Sequence, residues 1–283
     1  MIKIPIIDSH VHVWDIKNLH YPWLDNIPAL NRTFLMDDYD KACGWIDVES
    51  CVFVQCECDP DQYRQEVEWV TKLAETDKRI KGIVSWAPLE NGEEVRNELE
   101  ALSKNKLVKG IRRIIQFESD LDFCLLPGFI KGVKMLGEYG FTFDICISYI
   151  HNKNTLKFVE QCQEIPMILD HIGKPDIKNR QLHPWKEEIK ELSQFGNVCC
   201  KVSSLATEAD HENWTIDDIR PYADHIFECF GFERTIFAGD WPVSTLAADF
   251  PVCVNTILEL VKGCSEADLK KLFHDNAVKF YKL

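Results

Sequence analysis

Short apolar runs and amphipathic stretches alternate along the whole of this chain. Eight runs read as strands: residues 4–8, 50–56, 80–86, 108–114, 141–147, 167–170, 198–202 and 235–238. Most are continuously apolar rather than alternating, as expected of strands buried on both faces. Between them, stretches such as DQYRQEVEWVTKLAE, GEEVRNELEALSK, PGFIKGVKMLGEYG and TLKFVEQCQE carry the 3.6-residue spacing of amphipathic helices. The last stretch, SEADLKKLFHDNAVKFY, opens on Ser265 with Asp268 three residues later, a helix-capping arrangement. No low-complexity segment or Gly/Ser linker divides the 283 residues. The pattern predicts one α/β domain over residues 1–283, a (β/α)8 barrel. The alternative, an open doubly wound sheet, lacks a GxGxxG turn after the first strand.

Composition narrows the function classes. The net charge of −14 argues against nucleic-acid binding, because an acidic chain repels phosphate backbones. An anionic group would have to be met locally by arginine. No apolar run reaches the roughly 18 residues of a membrane span, and MIKIPIIDSH has no signal-peptide core, so the expected setting is cytoplasmic. The twelve cysteines lie mostly within apolar runs and lack paired CxxC spacing. They read as free, buried, small hydrophobes. The sequence sets no oligomeric state.

A barrel of this kind carries its chemistry at the C-terminal ends of its strands. There the chain offers His10, His12 and Trp14 after strand 1, and Gln55 and Glu57 after strand 2. Arg112 and Gln116 follow strand 4, and Asp144 or His151 strand 5. His171 and Lys174 follow strand 6, Lys201 and Ser203 belong to strand 7, and Asp240 and Trp241 follow strand 8. The period of two places Asp8, His10 and His12 on one face. Taken singly, each has an ordinary structural use: Asp240 could cap a helix, and Lys201 could lie solvated at the rim. Their concentration at one end of one barrel is what carries a functional reading. His10, His12 and Asp240 are suitable ligands for one divalent ion such as zinc. Asp240 could instead serve as general base, with His171 moving a proton or holding an oxyanion. Arg112 offers a planar fork for a carboxylate or carbonyl oxygen, and Trp14 and Trp241 offer apolar walls with N–H donors. Without a GxSxG serine, attack by water is the economical chemistry.

IDSHVHVWD, DHIGKP, CKVSSLATEAD and FAGDWPVS, in that order, resemble the amidohydrolase superfamily, and within it the sugar-lactonase branch of fuconolactonase and rhamnonolactonase type. The resemblance implies a (β/α)8 barrel that hydrolyses a lactone at its mouth. His10 and His12 match the first-strand pair, His171 the later histidine and Asp240 the last-strand aspartate. It also implies a departure from the two-metal members, because GIRRIIQ stands where they carry a bridging lysine or acid. One zinc held by His10, His12 and Asp240 is the expected cofactor, with Glu57 a weaker alternative ligand. Catalysis without a metal is equally compatible with the pattern. The expected partner is a small sugar lactone, read by Arg112, Trp14, Lys201 and Trp241, with HYPWLDNIPAL supplying loop residues that set specificity. Two other readings fit the same list: a metal-dependent decarboxylase of a conjugated acid, and a barrel without chemistry.

Overall fold

All eight apolar runs contribute strands to the computed structural model, which describes residues 4–283. They are β1 (Ile6–Val11), β2 (Val48–Val54), β3 (Ile80–Ser85), β4 (Val108–Ile111), β5 (Thr142–Ile145), β6 (Met167–Leu169), β7 (Val198–Val202) and β8 (Thr235–Phe237). The strands are parallel and each pairs with the next in sequence. A helix follows each: α1 (Met36–Cys43), α2 (Tyr63–Thr76), α3 (Arg96–Ser103), α4 (Pro127–Tyr139), α5 (Asn152–Gln161), α6 (Trp185–Leu192), α7 (Ile216–Phe230) and α8 (Phe250–Leu260). This is the expected (β/α)8 barrel. Parallel neighbours need a crossover, and amphipathic helices supply it while covering the outer face of the sheet.

The ring closes through two backbone bonds just beyond the strand ends. Asp240 N–H donates to the His10 carbonyl and His12 N–H to the Trp241 carbonyl, both at 2.8 Å. The closure therefore ties three chemically interesting residues to one another through the main chain.

Asp8 does not share a face with the two histidines. Between Asp8 and Val11, β1 advances three residues while β2 advances two, from Cys51 to Phe53. This bulge reverses the parity of the strand. Ile7 faces the barrel interior with Val52, Val84, Ile168 and Ile236, while Asp8 faces outward to Tyr39 on α1. His10 and His12, past the bulge, face inward.

Helix limits differ from the periodic pattern in two places. Gly92 takes a left-handed φ of 60°, so the stretch before Arg96 is a kinked pair of tight turns rather than the start of α3. The final stretch divides into α9 (Glu266–Lys270), a wider turn over Lys271–Asp275, and α10 (Asn276–Tyr281). Ser265 caps α9 as expected, accepting from Asp268 N–H at 3.1 Å. From α10, Ala277 and Tyr281 pack against the interior residues and floor the barrel opposite its mouth. All twelve cysteines are free; seven are buried and five half-buried. Among the described residues, no helix is long and apolar enough to cross a membrane.

Candidate active site

The inward residues form layers. Above the apolar layer of Ile7, Val52, Val84, Ile168 and Ile236 lies a charged one made of Asp144 on β5, Asp170 just past β6, Lys201 on β7 and His10 on β1. Lys201 Nζ stands 2.6 Å from Asp144 Oδ2, 2.9 Å from Asp170 Oδ1 and 3.1 Å from His10 Nδ1. Tyr281 O–H donates to the same Asp144 oxygen from below, at 2.8 Å. Burial pulls the Lys201 ammonium down, but the two carboxylates outweigh it and hold the group above the ordinary lysine value. Lys201 is fully buried, so it stands beneath the mouth and not on a substrate-facing wall.

The next layer forms the mouth. His10 Nε2 and His12 Nε2 are 3.0 Å apart, and Asp240 Oδ1 is 3.7 Å from the first and 3.4 Å from the second. His12 Nδ1 meets the Val54 carbonyl at 2.7 Å. A carbonyl only accepts, so the His12 proton sits on Nδ1 and the Nε2 lone pair faces the mouth. The other Asp240 oxygen accepts from the Ser204 hydroxyl and lies 4.0 Å from His171 Nδ1. His171 Nδ1 is also 2.9 Å from Ser203 Oγ. Arg112 places Nη1 3.2 Å from His10 Nε2, 3.5 Å from Asp170 Oδ2, and donates through Nη2 to the Gln55 carbonyl at 2.6 Å.

Burial drives the electrostatics. It pushes His10 well below the usual histidine value, lowers His12, and takes His171 down to about 4. All three are neutral imidazoles near pH 7. Burial alone would raise Asp240; His171, His12 and His10 outweigh it, so this carboxyl lies far below the usual carboxylate range and stays ionised. Glu57, His171, Ile172, Lys174, Ser204 and Asp240 all have left-handed φ values between 44° and 54°. Such backbone costs about 1–3 kcal/mol per residue. Its concentration at the ends of β2, β6, β7 and β8 marks where the fold gives up stability to aim side chains.

A cavity of about 210 Å³ opens over this layer, lined by His12, Arg112, His171 and Asp240 at its base. Glu57, Gln116 and Lys174 provide further polar groups, and Trp23, Ile27, Ile114 and Phe117 apolar ones. His10 lies just below, fully buried. Trp14 and Trp241, expected as walls, stand behind it. The left-handed turn at Asp240, past the end of β8, sends Trp241 away from the cavity, onto Phe34 and Tyr39. Trp14 is fully buried, donates to the Arg32 carbonyl at 2.7 Å and packs edge-on against Trp23. Trp23, within HYPWLDNIPAL, is the indole that reaches the cavity, steadied by its N–H bond to the Cys56 carbonyl at 2.8 Å. His151 is buried against Ser148, away from the cavity. Glu57 bonds Gln55 at the wall and lies outside the His10–His12–Asp240 group. Sequence reading passes over Ser204 and Asp170, although Asp170 stands at a strand end, the signal that singles out Asp144 and Asp240.

Glu66 on α2 gives the region a separate pH dependence. Burial raises its carboxyl to about 8, although Cys56 N–H donates to it at 3.2 Å. The folded chain therefore holds this proton more tightly than the unfolded one, whose value is 4.5. Stability falls as pH rises from 4.5 through about 8. Glu66→Gln keeps the shape and removes the ionisation. It is expected to raise stability at pH 9 by on the order of a few kcal/mol, seen as a higher thermal midpoint, and to change the midpoint little at pH 4. Unfolding scans at the two pH values check this; equal shifts at both would contradict it.

The donor geometry suits a metal ion. Ligand atoms about 2.0–2.2 Å from a tetrahedral centre lie roughly 3.3–3.5 Å apart, and the three separations here are 3.0, 3.4 and 3.7 Å. His10, Asp170 and His171 form a second group of convergent donors.

Comparison with known proteins agrees with the fold. A family model described as amidohydrolase matches residues 7–283. The chain belongs to the amidohydrolase family. This amidohydrolase is 27% identical to an L-fucono-1,5-lactonase of Burkholderia multivorans, over 98% of its own length and 96% of the relative's. It is 25% identical to an L-rhamnono-gamma-lactonase of Scheffersomyces stipitis, over the full length of both. Among solved structures, a Burkholderia multivorans amidohydrolase with bound zinc superposes with a TM-score of 0.89 at 26% identity, covering 99% of each chain.

Proposed function

We propose that this amidohydrolase opens the lactone of a sugar acid by attack of water on the ring carbonyl. The observation that carries the reading is the convergence of an ionised Asp240 and three neutral imidazoles at the base of a cavity whose wall carries Arg112, Glu57, Gln116 and Lys174. Full-length likeness to two sugar lactonases supports it. The cavity is small, with a few polar groups set among apolar ones, as a small polar substrate would need.

Asp240 stands where it can take a proton from the attacking water. It then returns that proton to the departing ring oxygen. The carbonyl carbon gains a bond to the water oxygen and loses the bond to the ring oxygen; one hydroxyl and one carboxyl result. Ser204 fixes one Asp240 oxygen and leaves the other toward the mouth. His171, neutral and anchored on Ser203, supplies a polar contact to the reacting oxygen. Arg112 holds the carbonyl side of the substrate with a guanidinium that burial does not discharge. His10, His12 and Asp240 would hold a zinc ion, as their donor set allows and as a zinc-containing relative suggests. Such an ion would polarise the carbonyl and acidify water.

The test is proton release by purified protein on a panel of aldonolactones, with the spontaneous rate subtracted. Turnover on one or more lactones is expected. Release of carbon dioxide from a conjugated acid, with no lactone opened, would overturn the proposal in favour of decarboxylation. Arg112→Met is expected to raise KM for the preferred lactone roughly tenfold, the value of one charged hydrogen bond. Unchanged kinetics would remove Arg112 from substrate binding.

A further inference from the structure

His10 has two ring nitrogens and one proton, and its surroundings make competing demands on where that proton sits. Nδ1 faces Lys201 Nζ, which can only donate, at 3.1 Å, and Asp170 Oδ1, which as a carboxylate can only accept, at 3.5 Å. Nε2 faces His12 Nε2 at 3.0 Å and Arg112 Nη1, which can only donate, at 3.2 Å. The proton on His12 Nδ1 leaves its Nε2 a bare lone pair.

Two tautomers divide these partners. With the proton on Nε2, His10 donates to His12 and accepts from Lys201, so the two shorter contacts, 3.0 and 3.1 Å, are both hydrogen bonds. With the proton on Nδ1, His10 donates to Asp170 and accepts from Arg112, at 3.5 and 3.2 Å, and two lone pairs face each other across 3.0 Å. The first sets one pair of donors against each other, Nε2–H and Arg112 Nη1 at 3.2 Å; the second opposes Nδ1–H to Lys201 Nζ at 3.1 Å as well as the two lone pairs, so the first fits the geometry better. It also leaves Asp170, fully buried, held only by its ion pairs with Lys201 at 2.9 Å and Arg112 at 3.5 Å. The second tautomer would turn an N–H toward this carboxylate, 3.5 Å from Oδ1.

We propose that Lys201 is a positioning residue that holds His10 in its Nε2–H tautomer, and that Asp170 is the acceptor that allows His10 to become an ion ligand. A ligating imidazole must present a lone pair, and such a ring donates its other N–H to a carboxylate or carbonyl. His12 already meets this requirement through Val54. His10 meets it only by moving its proton from Nε2 to Nδ1, turning from Lys201 to Asp170. The proton is neither gained nor lost; it changes nitrogen. Asp144 and Tyr281 belong to the same arrangement, because their contacts at 2.6 and 2.8 Å fix where Lys201 points. The inference rests on the reading of His10 as a metal ligand, and it is independent of the substrate.

The test uses full-length protein labelled with ¹⁵N histidine and stripped of ions with a chelator. Two-dimensional ¹H–¹⁵N spectra report the His10 tautomer, with His10→Gln identifying its signals. Wild-type protein is expected to show Nε2–H. Lys201→Met is expected to shift His10 toward Nδ1–H and to tighten zinc binding, measured by competition with a chromogenic chelator, by roughly 10–100-fold. Asp170→Asn is expected to keep Nε2–H and to weaken zinc by a similar factor. A merely structural role for Lys201 would move stability without moving the tautomer. Wild-type His10 found as Nδ1–H overturns the proposal, as does an unchanged tautomer in Lys201→Met or zinc binding absent from every variant. If Lys201→Met does not fold, the wild-type tautomer and the Asp170→Asn affinity decide by the same criteria. No readout uses a lactone, so inactivity on every lactone would count against the proposed reaction and leave this result standing.

Discussion

Asp240→Asn is expected to lower kcat for lactone opening by roughly 10²–10⁴-fold, the range that one positioned acid–base group contributes. The barrel should stay folded. The bond that helps close the ring is made by the Asp240 backbone N–H to the His10 carbonyl, which the substitution leaves in place. An amide oxygen can still accept from Ser204, so the side chain keeps its orientation. It cannot carry a proton between water and the ring oxygen. Proton-release kinetics and a thermal melt measure the two halves of the expectation. Full turnover with an unaltered melt would remove Asp240 from the chemistry.

Gly239→Ala should damage stability and turnover together. Gly239 N–H donates to Asp8 Oδ1 at 2.7 Å, and a β-carbon there would lie 2.5 Å from Phe250 Cε2 and would overlap Asp8 Oδ2. Neither neighbour is free to move. Asp8 also accepts from Tyr39 O–H at 2.8 Å and from His10 N–H at 3.1 Å, and Phe250 is buried in the helix layer. Overpacking of this kind costs about 1–3 kcal/mol, which lowers the melting midpoint by roughly 2–5 °C in a chain of this size. Any relief comes through Asp8 or the β8 end, and these position His10 and Asp240, so kcat should fall at least several-fold. Gly196→Ala is the control, since a β-carbon there meets nothing within 4 Å. Equal melts for the two variants would contradict the expectation.

The barrel was legible because strands buried on both faces leave continuous apolar runs, and helices covering one face leave a 3.6-residue pattern. The ends of those runs then located His12, Arg112, His171 and Asp240 at one cavity, with His10 directly beneath. What sequence could not resolve was direction and depth. Trp241 adjoins Asp240 but packs on Phe34 and Tyr39, because the left-handed turn at Asp240 sends the two side chains different ways. Lys201 points inward but lies one layer too deep to meet substrate. Asp8 changed faces at a bulge that no local residue preference announces. Glu66 and Tyr281 come from helices and reach the strand ends or the interior only through tertiary packing.

The floor made by α10 has a kinetic consequence. Ala277 and Tyr281 close the barrel opposite the mouth and are themselves almost fully buried. Among the described residues, the cavity above His10 and Lys201 lies on the mouth side, where the proposed substrate would enter. A lactone seated over His12 and Asp240 would stand in that entrance, so the rate at which a chelator strips an ion should slow when the cavity is filled, whatever happens to the equilibrium affinity. An ion beneath a bound lactone would then have to arrive first and leave last.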